Sequence, residues 1–204
     1  MGLMELLGLA ASVSLLAGWR LYLCVFVTGL AMRSGWIGLP DHLEALGALS
    51  NNWVLGASLI GLIAEFLADK IAWVDSIWDA IHSVIRPLGG ALLAMAIVDA
   101  QDPVWQATAF LLGGGGALLS HGAKASARAV VNASPEPASN IIVSTGEDVV
   151  TGGMLALAFA SPEAALLVAL LLAALAVVLL IYARRAIRSL LAFRDRILPR
   201  RGGP

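Results

Sequence analysis

Six stretches of about 20 mostly apolar residues dominate this sequence, each long enough to cross the hydrocarbon core of a bilayer as a helix. They fall near residues 4–31, 52–72, 75–98, 104–127, 138–160 and 163–186. A soluble domain covers its surface with about 25% charged residues. Here Asp, Glu, Lys and Arg make up 13% of the chain against 59% hydrophobic residues, and the mean hydropathy is +0.87. Soluble secreted, disordered and fibrous classes are thereby excluded. Backbone polar groups in hydrocarbon must be paired within their own segment, so spans of this length predict helices. The expected fold is an all-α, polytopic membrane bundle of about six helices. Residues 1–186 form its single transmembrane domain and 187–204 a basic tail.

The connections read as sharp reversals. "DAQDP" and "ASPE" are tight turns, while "RSGWIGLPDHLEALGALSNN" carries Gly38, Pro40 and an Asn-Asn pair and predicts a loop with a short interfacial helix. The N-terminal segment reads as the first membrane helix rather than a signal peptide, because its first charge is Glu5 and its apolar run is long. Of the thirteen basic residues, Arg184, Arg185, Arg188, Arg194, Arg196, Arg200 and Arg201 crowd the C-terminal stretch. By the positive-inside tendency this end is cytoplasmic, and six spans then put the N-terminus on the same side. The outside connections hold Arg33 as their only cation, beside Asp41, Glu44, Asp99, Asp102 and Glu163. The single cysteine, Cys24, permits no disulfide within the chain and reads as a packing residue.

A faint internal repeat runs through the centre. "DKIAWVDSIWD" with "PLGGALLAMAIVDAQDP" echoes "RAVVNASPE" with "VTGGMLALAFASP", each a span, a polar bend and a second span. Lys70, Asp75 and Asp79 then correspond to Arg128, Asn132 and Glu136, with one residue of slippage, and Gly89-Gly90 to Gly152-Gly153. Such copies would be parallel, with both bends at the cytoplasmic side.

The informative residues are the ionisable ones inside the spans, since each charge at the bilayer centre costs about 2.5–3.5 kcal/mol on insertion scales. Arg20 lies in the middle of the first span. Glu65 and Asp69 lie one turn apart in the second, with Lys70 beside them. Asp75, Asp79, His82 and Arg86 share one face of the third, and Pro87 is expected to bend it. His121, Lys124, Arg128 and Asn132 form a second stripe after the glycine run Gly113–Gly116. Glu136 is held between two prolines, and Glu147 and Asp148 fall near mid-membrane in the fifth span. This density exceeds what bundle stability requires and predicts a polar cavity open to the cytoplasm, lined by both signs.

For single residues a plainer role competes. Lys70, Lys124 and Arg128 can snorkel to headgroups, and Arg20 with Glu147 and Asp148 can form a purely structural ion pair. His82 and His121 are more often hydrogen-bonded packing residues than ligands. Asp75, Asp79 and His82 on one face give too few ligands for a divalent cation without a second helix. The glycine run has no Walker spacing.

The strings "AGWRLYL", "EFLADK", "HGAKASARAVVNASPEPASN" and "GEDV" resemble an uncharacterised family of small bacterial and plant membrane proteins, domain of unknown function 4126, over roughly residues 4 to 180. The resemblance implies an integral membrane protein and transfers no catalytic residue; the expected location is the bacterial inner membrane.

Three functions compete. The first is a small transporter or channel for a small anionic solute. Arg20, Lys70, His121, Lys124, Arg128 and Asn132 would bind the solute, and Glu65, Asp69, Asp75, Asp79, His82, Glu147 and Asp148 would couple protons or ions. Pro87 and Gly146 would interrupt two spans around that site. If the acidic groups dominate, the solute is a cation. The second is a membrane enzyme acting on a lipid phosphate, with His121, Lys124, Arg128 and Asn132 as clamp and Asp75 and Asp79 as metal ligands or base. The third is a scaffold using the basic tail. No cofactor is called for, nothing supports nucleic-acid binding, and the expected partners are the bilayer, a small solute or ion, and further copies of the chain in a homo-oligomer.

Overall fold

In the computed structural model, which describes residues 3–35, 41–98, 102–132 and 137–197, six α-helices follow one another with a single 3-10 helix in the first connection. They are α1 (Leu3–Ser34), α2 (Asn52–Ala68), α3 (Ala72–Val98), α4 (Pro103–Asn132), α5 (Pro137–Ala160) and α6 (Pro162–Ile197), with the 3-10 segment at Asp41–Ser50. Gly38, Pro40, Asp99, Glu136, Arg200 and Arg201 lie outside the described residues.

The helix starts follow from local chemistry. Proline opens α4, α5 and α6, where its missing N–H would be unpaired anyway. The side chains of Asn51, Asp102 and Ser161 accept from the backbone N–H of Trp53 (2.8 Å), Val104 (2.7 Å) and Ala164 (3.1 Å) and cap α2, α4 and α6.

Four helical segments, Leu6–Ser34, Ala72–Val98, Asn140–Ala160 and Glu163–Ser189, are long and apolar enough to cross a membrane. α2 is apolar but has 17 residues, about 25 Å. α4 has 30 residues and ample length but is not among these four. α6 continues through residue 197, so the segment after 186 is still helix as far as it is described.

α1 is the axis of the bundle and packs against all five other helices and the 3-10 segment, whose Leu46 is buried against it. Small residues set the close approaches. A Cβ on Gly18 would collide with the Ala117 carbonyl of α4, and one on Gly90 or Gly113 would collide across the α3–α4 contact. Side-chain hydroxyls tie the same three helices together: Ser14 Oγ donates to the Gly90 carbonyl (3.0 Å) and Ser120 Oγ to the Leu15 carbonyl (2.7 Å).

The interruption of the helices differs from expectation. α3 runs unbroken through Pro87, and α5 through Gly146. A proline forfeits one ladder bond, which a membrane helix supported by neighbours absorbs. The break comes instead in α1 at Arg20, whose backbone is non-helical (φ −141°, ψ 72°). The glycine run does not break α4 either: Gly113 and Gly114 lie against α3, while Gly115 faces open space. The aligned glycine pairs of the repeat also differ, since Gly89 and Gly90 meet Leu21 and Ala117 whereas Gly152 and Gly153 meet nothing.

Gly18→Val is expected to destabilise the protein by about 1–3 kcal/mol through overpacking against the α4 backbone, with Gly152→Ala neutral or slightly stabilising. Thermal unfolding of the purified protein in detergent checks both, and an unshifted Gly18→Val transition would refute the α1–α4 contact.

Candidate functional site

The break in α1 opens the site. Gly18 lets α4 approach, and the Trp19 carbonyl beside the break accepts from Lys124 Nζ at 3.2 Å. The next residue, Arg20, has no exposed side-chain surface and is ringed by carboxylates from two other helices and the α2–α3 turn. Its guanidinium pairs with Asp69, with Glu147 at 3.0 Å and with Glu65 at 3.7 Å, and its Nε lies 3.0 Å from Asp148 Oδ1. It also donates to the Ser144 carbonyl at 3.0 Å. One buried cation facing four carboxylates accounts for the departure of residue 20 from helical geometry: regular helix gives way to charge satisfaction in a low-dielectric interior.

Two more guanidiniums extend the network. Arg86 on α3 pairs with Glu65 (2.5 Å) and Asp79 (2.9 Å) and donates to His121 Nδ1 (2.6 Å). A guanidinium can only donate, so Nδ1 is an acceptor and Nε2 carries the hydrogen, which points at the Asp79 carbonyl (3.1 Å). Arg128 on α4 pairs with Asp75 (3.2 Å) and donates to the Asp69 carbonyl (2.8 Å). Lys124 stands between Glu65 and Glu147, 3.6 Å from each. Glu65 therefore touches Arg20, Arg86 and Lys124, and joins the stripes of α1, α3 and α4.

The repeat's two bends meet in this network: Asn132 Nδ2 donates to Asp75 Oδ2 at 2.6 Å, a pair that the repeat aligns. Lys70 sits at the edge, its Nζ 3.7 Å over the Phe66 ring and donating to Ser144 Oγ at 3.0 Å. His82 is set aside from the charges. It stacks on Trp78 (centroids 4.3 Å), its Nδ1 donates to the Trp78 carbonyl (2.7 Å), and its Nε2 accepts from the Tyr22 hydroxyl (3.0 Å).

Of the residues singled out in the sequence, all but His82 are thus brought into one connected cluster in the half of the bundle that contains the α2–α3 and α4–α5 connections. Glu136 lies outside the described residues. Arg86 and Ser144 are members to which the sequence reading assigned no role. Arg86 already lay on the α3 stripe four residues after His82. Ser144 lies on α5 one turn before Glu147 and Asp148, where a small hydroxyl gave no signal of its own.

The cluster is closed rather than open. Arg20, Glu65, Asp69, Asp75, Arg86, Lys124 and Arg128 are at most 1% exposed, whereas Glu147 and Asp148 keep 11% and 22% of their side chains at the edge. Opposite charges in a medium of low dielectric collapse onto one another, and the expected open polar cavity shrinks accordingly. A polar pocket of about 260 Å³ does open between α3 and α4, lined by Ser76, Asp79, Ser83, Arg128 and Asn132. A larger one, about 590 Å³, is apolar and lies between α1, the 3-10 segment, α2 and α3.

The four residues of the expected phosphate clamp are all engaged within the protein: His121 by Arg86, Lys124 by Glu65 and Glu147, and Arg128 and Asn132 both by Asp75. Asp75 and Asp79 do not converge on a metal, being held by Arg128 and Arg86. Among the described residues no group of three or more His, Cys, Asp or Glu side chains could hold a metal ion.

An all-α bundle with several membrane-length apolar helices closed around an ion-pair cluster is a polytopic membrane protein. The chain belongs to the family described as domain of unknown function DUF4126, which matches residues 7–181 and so includes every member of the cluster. No curated protein and no solved structure matches it.

Removing Glu65 takes one carboxylate from three buried cations at once, while Arg20 keeps Asp69, Arg86 keeps Asp79 and Lys124 keeps Glu147. Glu65→Ala is expected to cost about 3–5 kcal/mol, the penalty for breaking a buried pair, and Lys70→Ala at the edge less than about 1 kcal/mol. Melting of the two variants in one detergent tests the ranking; equal losses would contradict the central place of Glu65.

Proposed function

We propose that this protein is a small membrane transporter or channel for a small solute, and that the ion-pair cluster is the gate across its path. The observation that carries this reading is Arg20: a guanidinium without exposed surface, at a break in the axial helix, shared by four carboxylates. A structural ion pair needs one partner for one charge. A shared set of partners lets the cation exchange one carboxylate for another at small net cost, and a break in the helix gives it room to move.

The cluster also speaks for the sign of the solute. The sequence suggested an anion, yet the buried cations Arg20, Arg86, Lys124 and Arg128 are each engaged by carboxylates, and Lys70 at the edge donates to Ser144 Oγ. Acceptor oxygens, by contrast, are in excess: Glu65 Oε2, Asp69 Oδ1 and Asp75 Oδ1 are buried without a hydrogen-bond partner. A small cation or a donor-rich neutral solute fits that surplus, arriving through the pocket at Asp79 and Asn132. In this reading the α2–α3 and α4–α5 connections, with both termini, face the cytoplasm of a bacterial inner membrane. The arginines at the end of α6 support that orientation.

The test is flux in proteoliposomes loaded with potassium, sodium or ammonium salts, with chloride and acetate as the anion comparison. Cation flux is expected to fall at least tenfold in Asp148→Asn and in Arg20→Lys, with melting little changed for the former. Anion flux that is as large, or cation flux indifferent to both variants, would overturn the proposal.

A further inference from the structure

The six carboxylates of the cluster, Glu65, Asp69, Asp75, Asp79, Glu147 and Asp148, face five cations: Arg20, Arg86, Lys124, Arg128 and, at the edge, Lys70. One negative charge is left over in an interior where an unpaired charge is expensive. The positions of the oxygens show where the imbalance lies. Asp69, the C-cap of α2, uses Oδ2 to accept from Arg20 and from Ser144 Oγ (3.2 Å). Asp75, in the first turn of α3, uses Oδ2 to accept from Arg128 (3.2 Å) and Asn132 (2.6 Å). Each therefore has one oxygen, Oδ1, that is buried and without a donor. Both residues have no exposed side-chain surface, and their carboxyl groups lie within hydrogen-bonding reach of each other.

Two carboxylates that face each other with acceptor-only oxygens repel, and neither can satisfy the other. One proton between them resolves three difficulties together. It supplies the missing donor for one orphan oxygen, it removes the repulsion, and it brings the cluster to five negative against five positive charges. We infer that Asp69 and Asp75 form a proton-binding pair that holds a single shared proton at neutral pH. The groups that face this pair are Glu65 and Lys70 beside it in the chain, Asp79 one turn along α3, Arg20 on α1, Lys124 and Arg128 on α4, and Glu147 and Asp148 on α5 across Arg20. Arg20, Arg86, Lys124 and Arg128 already have carboxylate partners, and Lys70 at the edge donates to Ser144 Oγ rather than to either carboxyl group, so none of them replaces the proton.

The consequence deepens the transport reading on which it rests, by naming the coupling ion. The pair spans the turn between α2 and α3, residues 69 to 75, and is held on one side by Arg20 and on the other by Arg128. Any movement of α1 or α4 that draws the two carboxyl groups apart ends the sharing and releases the proton; reclosure takes one up. No other reactant is needed, and the charge lost from the pair equals the proton given to solvent.

Infrared difference spectroscopy of the reconstituted full chain tests this without any flux measurement. At neutral pH a protonated-carboxyl C=O band is expected that shifts in D₂O and shifts again when the protein is grown with carboxyl-13C aspartate, which assigns it to aspartate without any substitution. Asp69→Asn and Asp75→Asn conserve shape and leave the pair its single charge, so each is expected to abolish the band. Absence of the band in the unsubstituted protein, its insensitivity to the aspartate label, or its survival in either Asn variant would overturn the shared proton. A band without cation flux would leave the pair standing and remove the transport reading; flux without the band would do the reverse.

Discussion

The structure depends on the cost of holding guanidinium groups away from water. Arg20, Arg86 and Arg128 are each at most 1% exposed in a bundle whose outer faces are Leu, Ile, Val and Trp. None of the three can shed its charge by deprotonation, so the protein must bring carboxylates to them. Much of the rest of the arrangement follows. The α2–α3 turn is short and acidic so that Asp69 and Asp75 reach two different arginines, α5 presents Glu147 and Asp148 toward α1, and Glu65 is placed where three cations converge. The helical ladder of α1 yields at residue 20 because a local backbone irregularity costs less than an unpaired buried charge.

Close packing makes this convergence possible. Gly18 lies two residues before the break and permits α4 to approach until Lys124 meets the Trp19 carbonyl, a group that the break leaves available. Gly90 and Gly113 do the same for α3 and α4, which carry the two polar stripes. Larger residues at these positions would separate the stripes, and a gap of even a few ångströms in a low-dielectric interior turns paired charges into unpaired ones. The small residues and the ion pairs are therefore one device, since the former set the distances on which the latter depend. A network shared among partners is also easier to rearrange than a set of isolated pairs, which is the property a gate requires.

Helix positions were legible because apolar runs in this chain are punctuated by Pro, Gly, Asn and Asp. Pro103, Pro137 and Pro162 open helices within one residue of the expected starts, and Asn51 caps another. The candidate residues were legible too, because a charge in an apolar span stands out regardless of what it touches. The interruptions were misplaced for a physical reason: Pro87 and Gly146 are locally permissive of a break, but what breaks a buried helix is a demand from elsewhere in the fold, and that demand falls on Arg20. Arg86 was seen on the stripe and left without a role, since its partners Glu65 and His121 lie 21 and 35 residues away in the chain.

The sequence by itself determined an all-α membrane bundle, most of its helix starts and the list of charges that it must bury, because these depend on hydropathy, capping and turn chemistry within a few residues of one another. Tertiary structure alone decided that the charges close into one network instead of lining an open cavity, that Arg20, Arg86, Lys124 and Arg128 are each taken up by carboxylates, and that Asp69 and Asp75 each keep one buried oxygen unpaired. Those outcomes turn on distances of a few ångströms between helices far apart in the chain, and electrostatic energy in a low-dielectric interior varies steeply over that range.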